Sequence, residues 1–228
     1  MRSVVIAFLL SIQLCFGVQK APSVVRICLD NNTGIATVYW QNLRDTCNSF
    51  SKNLLYASEN NGPWILQKTI TNISTISTSV VVTDINSSWK YKIVTYFACN
   101  GIDSLESNEL SIDQSKPSIM EIDSVSFDPI TQKILLGWKN NPAPDTKGYR
   151  VYQYNNSVNN KIADVDSNHV ILPGFTKSNP ADFTIAAYDS CNLFSAISNF
   201  QRAAYLNGSI DTCKRSVSLG WSLYQGWN

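Results

Sequence analysis

Cysteine and histidine are the residues of this chain with the most obvious chemical potential, but their spacing matches no catalytic or metal-binding pattern. The 228-residue chain has six cysteines, widely spaced, and a single histidine, His169, which lies in an apolar strand pattern. Nucleophilic catalysis needs a base beside the nucleophile, and a metal centre needs three or four ligands. The sequence therefore predicts no catalytic, cofactor-binding or metal-binding residues, a non-enzymatic protein, and a packing or surface role for His169. The cluster Asp30-Asn31-Asn32 has one carboxylate, too few for a calcium loop, and is predicted to be a plain turn.

Tryptophans and tyrosines are the next candidates, because exposed aromatic rings bind ligands. Leu136-Gly137-Trp138 returns as Leu219-Gly220-Trp221, and Trp40 occupies the same place in an earlier strand pattern. This recurrence predicts that the three tryptophans are core residues. Tyr91 and Phe183 belong to the same predicted core, and Tyr56 and Tyr152 are expected to pack nearby. Trp64, which follows a turn at the start of an edge strand, is the predicted partner-contacting aromatic.

The segment YKIVTYFACN at residues 91–100 returns as FTIAAYDSCN at residues 183–192, an ungapped shift of 92 residues. Trp40 and Trp138 are 98 residues apart, and Tyr56 and Tyr152 are 96 apart. The offset shrinks in steps that fall in loops, where length changes are tolerated. The pattern indicates two copies of one domain, and the echo around Trp221 indicates the beginning of a third.

Short β-branched and aromatic runs separated by turn signals predict strands, and no segment shows a sustained helical period. About seven strands in each repeat fit an all-β fold of tandem immunoglobulin-like β-sandwiches. The predicted strands of the first repeat include Leu54–Ser58, Trp64–Ile70, Thr78–Ile85, Trp89–Ala98 and Glu109–Ile112, after a strand-turn-strand at residues 23–42. Those of the second include Tyr149–Tyr154, Lys161–Val165, His169–Leu172, Phe183–Tyr188 and Ser195–Tyr205. The predicted domains are residues 18–114 and 115–206, with a truncated third repeat at 207–228, so the chain is expected to be the N-terminal part of a longer protein.

The first residues predict export. Arg2 is followed by an apolar run, Val4–Leu14, and by small residues that suit cleavage after Gly17. Residues 1–17 are therefore a predicted signal peptide, and the mature chain is expected outside the cell or on its surface. The formal net charge of +1 argues against nucleic-acid binding.

The motifs of the second repeat resemble those of fibronectin type III domains, and more narrowly a set found in large exported surface proteins of Bacteroidetes. The residues that carry the resemblance are Ile122-Asp123-Ser124-Val125, Asp128-Pro129-Ile130-Thr131, Gly137-Trp138, Ala186-Ala187-Tyr188-Asp189-Ser190-Cys191 and Asp211-Thr212-Cys213. Members of that set are often gliding-motility-associated and end in a type IX secretion sorting domain. The chain departs from their pattern at Asn192, where a glycine is usual, and at Asn179–Ala181, where a cysteine is common.

Five cysteines remain after the predicted cleavage, so at least one has no partner within the chain. Cys47 lies between the second and third strands and Cys99 ends the sixth, and those loops share one end of an immunoglobulin-like sandwich. Cys47–Cys99 is the predicted disulfide. The pairing of Cys28, Cys191 and Cys213 stays open, although the last strand runs away from Cys191, which argues against Cys191–Cys213.

The leading hypothesis is an exported, cell-surface modular protein whose repeats act as spacers and adhesive modules, with a protein or glycan as the expected partner. The resemblance adds the type IX secretion machinery as a partner if a sorting domain follows. One alternative is a receptor-type ectodomain that binds a protein ligand at the elbow between its domains. Such a protein would use the Asn-x-Ser/Thr sites at Asn31, Asn72, Asn86, Asn155 and Asn207. Another alternative is that the repeats are accessory domains of an exported hydrolase.

Overall fold

A computed structural model describes residues 21–42, 50–99, 102–128, 130–131, 133–176, 181–204, 206–223 and 225–226. Contacts divide the chain into two compact units, Met1–Asp113 (unit 1) and Gln114–Asn228 (unit 2). The described residues form antiparallel sheets and contain no helix, which confirms the predicted all-β fold of immunoglobulin-like sandwiches. A search of these residues for a helix long and apolar enough to cross a membrane finds none.

Unit 1 is a sandwich of two antiparallel sheets. Its strands are β1 (Ser23–Asp30), β2 (Ile35–Gln41), β3 (Phe50–Glu59), β4 (Ile65–Ile70), β5 (Ser77–Val81), β6 (Trp89–Cys99), β7 (Ile102–Glu106) and β8 (Leu110–Ser111). One sheet has the order β1-β2-β5, and the other has the order β4-β3-β6-β7, with β8 also paired to β6. Because successive side chains of a strand point to opposite faces, alternate residues of both sheets meet between them. This core contains Ile27, Val38, Trp40, Leu55, Ala57, Tyr91 and Ile93.

Unit 2 repeats this arrangement. Its strands are β9 (Ile122–Phe127), β10 (Lys133–Trp138), β11 (Thr146–Asn155), β12 (Val158–Val165), β13 (His169–Thr176) and β14 (Asp182–Asp189). The sheets have the orders β13-β10-β9 and β12-β11-β14. Their shared core contains Val125, Ile134, Leu136, Trp138, Tyr149, Val151, Phe183 and Ile185. These six strands follow the order of β5-β2-β1 and β4-β3-β6 in unit 1, while β7 and β8 have no counterpart among the described strands of unit 2.

Four of the repeated aromatic residues occupy the cores, but two tyrosines expected beside them do not. Trp40, Trp138, Tyr91 and Phe183 are at most 3% exposed, as predicted. The prediction that Tyr56 and Tyr152 pack beside them is wrong. Both are half-buried on the outward face of their sheet, because the neighbouring residues of the same strands face the core. In unit 2 the ring that packs beside Trp138 belongs to Tyr149 instead. The two rings meet edge-on at a centroid distance of 5.5 Å.

A second prediction, the last strand of the unit 2 sandwich at Ser195–Tyr205, is also wrong. No strand forms there among the described residues, where only isolated bridges occur. Ser195 and Ser198 donate their backbone N–H groups to the carbonyls of Ala187 and Ile185. In return, the backbone N–H groups of Ala187 and Ile185 donate to the serine hydroxyls, at 3.0 and 2.9 Å. The serine hydroxyls thus take the place of the backbone carbonyls of a neighbouring strand. They accept the N–H groups of β14 although no regular strand lies beside it.

The same kind of serine hydrogen bond occurs in unit 1, where the Ser107 hydroxyl accepts from the backbone N–H of Ile93 at 2.9 Å. The sequence predicted a single last strand, Glu109–Ile112, and missed β7 altogether. The structure divides this edge between β7 and β8, with Ser107 between them. The Ser-Asn pairs at residues 107–108 and 198–199 are the sequence signal that marks both interruptions.

Replacement of Ser198 by alanine tests this account of the edge. It leaves the buried N–H of Ile185 without an acceptor, so we expect the free energy of unfolding of unit 2 to fall by about 1–3 kcal/mol. Chemical denaturation measures the loss, and hydrogen exchange should show faster exchange at Ile185. The matched control is Ser126→Ala on the exposed side of β9, expected to change stability by less than about 0.5 kcal/mol. Equal stability of the two variants would contradict the role of the Ser198 hydroxyl.

Residues 206–221 form a separate hairpin of β15 (Leu206–Asp211) and β16 (Ser216–Trp221). The register pairs Leu206 with Trp221 and Ile210 with Val217, so the large apolar side chains share one face. Those side chains are 50–75% exposed, and Trp221 is 68% exposed. The prediction that Trp221 is a core residue is therefore wrong for this chain. No other described strand pairs with the hairpin, and two strands alone cannot bury an apolar face.

Candidate functional surface

The outward face of the β3–β6 sheet in unit 1 carries cationic side chains set over aromatic rings. The Lys92 ammonium lies 4.7 Å from the centroid of the Trp64 ring, and the Lys52 ammonium lies 5.3 Å from that of Tyr96. Lys92 also forms an ion pair of 3.0 Å with Glu106 on β7. The register of β3 and β6 brings Lys52 opposite Tyr96, which explains their contact. Cations over ring faces gain from the ring quadrupole, and the surface presents both charge and aromatic area.

Trp64 is the predicted partner-contacting residue, and the structure places it on this face. The residue is half-buried, while Ile65 and Leu66 beside it are 60% and 48% exposed. It directly precedes β4, which pairs only with β3 in the described sheet. The Lys92 ammonium lies over the ring, so a partner would meet the two side chains together.

The corresponding face of unit 2 is built around Arg150 on β11. Its guanidinium makes two hydrogen bonds to Asp164, of 2.6 and 3.2 Å, and lies 4.5 Å from the centroid of the Phe194 ring. The hydrogen bond to Asp164 raises the pKa of Arg150, and the same bond lowers the pKa of Asp164, assisted by Lys161. Both groups remain charged near neutral pH. The face therefore offers a fixed ion pair beside aromatic rings.

Three aspartates occupy the turns that open the hairpins. The carboxylates of Asp30, Asp128 and Asp211 each accept the backbone N–H of the residue two positions on. The Thr33 hydroxyl lowers the pKa of Asp30, and the Thr131 backbone N–H lowers that of Asp128. In each turn the chain itself donates hydrogen bonds to the carboxylate, and the turn predicted at Asp30 is present.

The cysteines divide into bonded and free groups. Cys28 and Cys191 are disulfide-bonded, and Cys213 is exposed and free. A free Cys213 agrees with the expectation that at least one cysteine has no partner and with the argument against Cys191–Cys213. Cys47 and the side chain of Cys99 lie outside the described residues, so Cys47–Cys99 stays a prediction. The signal peptide at residues 1–17 also lies outside them.

His169 begins β13 and is exposed, with its Nδ1 atom 3.2 Å from the side-chain oxygen of Asn168. This agrees with the packing or surface role predicted from the sequence.

Comparison with known proteins gives structural similarities alone, since no family model and no curated protein matches the chain. One solved structure, the FN1–FN3 domains of chicken CNTN1, is 16% identical, with a TM-score of 0.40, covering 81% of this chain and 67% of that one. Another, a two-domain fibronectin type III segment of chicken tenascin, is 15% identical, with a TM-score of 0.32, covering 81% of this chain and all of that one. The fold of each unit is defined by its own sheets and core.

Proposed function

We propose that this chain is a non-enzymatic, exported modular protein of the cell surface, whose fibronectin type III-like repeats act as spacer and adhesion modules. The single observation that supports this most is the duplication of a two-sheet sandwich with six shared strands. Each unit has its own two sheets and its own closed core, built from the same strand order. Modules that repeat a scaffold while their surfaces differ suit a protein that separates binding functions rather than one that forms a single active site.

The hairpin of β15 and β16 is, in this proposal, the opening of a third module. In β2 and β10 every second residue up to the tryptophan is buried, namely Ala36, Val38 and Trp40, and Ile134, Leu136 and Trp138. Val217, Leu219 and Trp221 continue that spacing in β16, and Asp211 begins its turn as Asp30 and Asp128 begin theirs. A gliding-motility-associated protein with a sorting domain further along is the finer form of the proposal, and it rests on the sequence resemblance.

Partner contact is proposed for the outward face of unit 1, at Trp64 and Lys92. The pair combines a half-buried ring with a cation, a combination that binds proteins and glycans through stacking and hydrogen bonds. The edge of β4 beside it offers backbone groups to an added strand.

Single-molecule stretching of the chain tests the modular proposal. A reductant must be present, because Cys28 and Cys191 are disulfide-bonded. We expect two separate unfolding events, each lengthening the chain by about 30 nm, since a repeat of 92 residues extends by roughly 3.5 Å per residue. One cooperative event would contradict independent modules. A surface role requires, in addition, that protease added to intact cells removes the protein, and an intracellular fraction resistant to protease would oppose it.

A further inference from the structure

Asp189, the last residue of β14, carries a fully buried carboxylate. It is 0% exposed. Its Oδ1 atom accepts the backbone N–H groups of Cys191 and Leu193, at 2.7 and 2.8 Å. Its Oδ2 atom is buried and accepts no hydrogen bond from the described part of the chain. An ionised oxygen in this position is costly unless a proton or a cation compensates its charge.

A second carboxylate faces Asp189. Asp145, in the loop before β11, places a carboxylate oxygen within 4.8 Å of one from Asp189. The loops that carry them are fastened together, because the Asp145 carbonyl accepts the backbone N–H of Ser190 at 3.2 Å. Thr146 and Asp189 are also opposite each other in the register of β11 and β14. The backbone thus holds two like charges together and prevents their separation.

From this geometry we infer that Asp145 and Asp189 bind a calcium ion at the end of unit 2. Calcium prefers carboxylate and carbonyl oxygens, tolerates irregular coordination and completes its shell with water. A bound cation would compensate the buried Asp189 oxygen and remove the repulsion between the carboxylates. Magnesium demands near-ideal octahedral geometry at shorter distances and suits the pair less well.

The turn aspartates show why this pair is different. Asp128 also accepts two backbone N–H groups through Oδ1, from Ile130 and Thr131. Its side chain is half-buried in an ordinary turn, and among the described residues it belongs to no group of three or more converging acidic side chains. Asp128 therefore provides a matched control within the same unit.

Thermal unfolding of the mature chain, residues 18–228, tests the site in EDTA and in calcium at about 10–100 mM, roughly 100-fold above the expected Kd. We expect calcium at that excess to raise the Tm of the unit 2 transition by about 10 °C. Isothermal titration calorimetry should give a Kd on the order of 0.1–1 mM, the range of extracellular calcium modules. An equal Tm in EDTA and in calcium, with no heat of binding, would overturn the inference.

Asp189→Asn tests the proposed calcium site without breaking the turn that Asp189 stabilises. An asparagine keeps an oxygen for the N–H groups of Cys191 and Leu193 but removes the charge. We expect the calcium-induced rise in Tm to disappear, while the Tm in EDTA stays equal to or above that of the wild type. Asp145→Asn should weaken calcium binding at least about tenfold, and Asp128→Asn should leave the calcium shift unchanged.

One result with the variants would exclude the calcium site. A shift that survives in both Asp189→Asn and Asp145→Asn would mean that calcium binds elsewhere. If Asp189→Asn does not fold, an undiminished heat of calcium binding in calorimetry on Asp145→Asn would overturn the inference instead.

Discussion

Trp138→Ala is expected to lower the free energy of unfolding of unit 2 by about 3–5 kcal/mol. The indole is 3% exposed and lies between the two sheets, where it meets the Tyr149 ring edge-on. Truncation removes a large buried apolar area and leaves a cavity that the strands of both sheets cannot fill. Scanning calorimetry measures the effect, because each unit should give its own transition and the unit 1 transition should not move.

The matched control is the same substitution at Trp221, the equivalent place in β16. That indole is 68% exposed, so Trp221→Ala should change the stability of unit 2 by less than about 0.5 kcal/mol. A large loss at Trp221 would show that the hairpin face is covered in solution. A small loss at Trp138 would show that the core of unit 2 is not organised around its tryptophan.

The contrast between Trp138 and Trp221 shows which features of the fold could be predicted from the sequence. A repeated Trp and a repeated aromatic 92 residues apart predicted two sandwiches and their core markers correctly. The pattern could not predict the exposure of Trp221, because burial depends on a second sheet rather than on the strand that carries the residue. Tyr56 and Tyr152 show the same limit at smaller scale. Their spacing marks the repeat, but a shift of one residue along a strand moves a side chain to the other face.

The candidate sites were less predictable than the fold. Trp64 stood out in the sequence as an aromatic after a turn, but its cationic neighbour Lys92 comes from β6, 28 residues further on. Asp189 occurs in a motif that marked the repeat, and nothing in its immediate sequence indicates a buried carboxylate. Its proximity to Asp145 arises from the register of β11 and β14. Sites formed by pairing across strands depend on register, which local sequence patterns specify only indirectly.

Asn42 and Asn140 occupy the same place in the two repeats, but the structure gives them different surroundings. Trp40 and Trp138 are each followed two residues later by an asparagine, Asn42 and Asn140. In unit 1 the Asn42 side-chain oxygen accepts the indole N–H of Trp40 at 3.0 Å and the side-chain N–H of Asn53 at 3.1 Å. In unit 2 the indole nitrogen of Trp138 is buried without a described partner, and Asn140 is exposed.

Asn42→Ala is therefore expected to destabilise unit 1 by about 2–4 kcal/mol, because it leaves two buried donors, on Trp40 and Asn53, without their acceptor. Asn53 is 0% exposed and its oxygen accepts from the Thr95 hydroxyl, so Asn42 joins the Trp40 indole to a buried polar network. Asn140→Ala is the matched control, expected within about 0.5 kcal/mol of the wild type. Calorimetry assigns each change to its unit. Similar effects of the two substitutions would mean that the shared Trp-x-Asn spacing, rather than the buried network, determines stability.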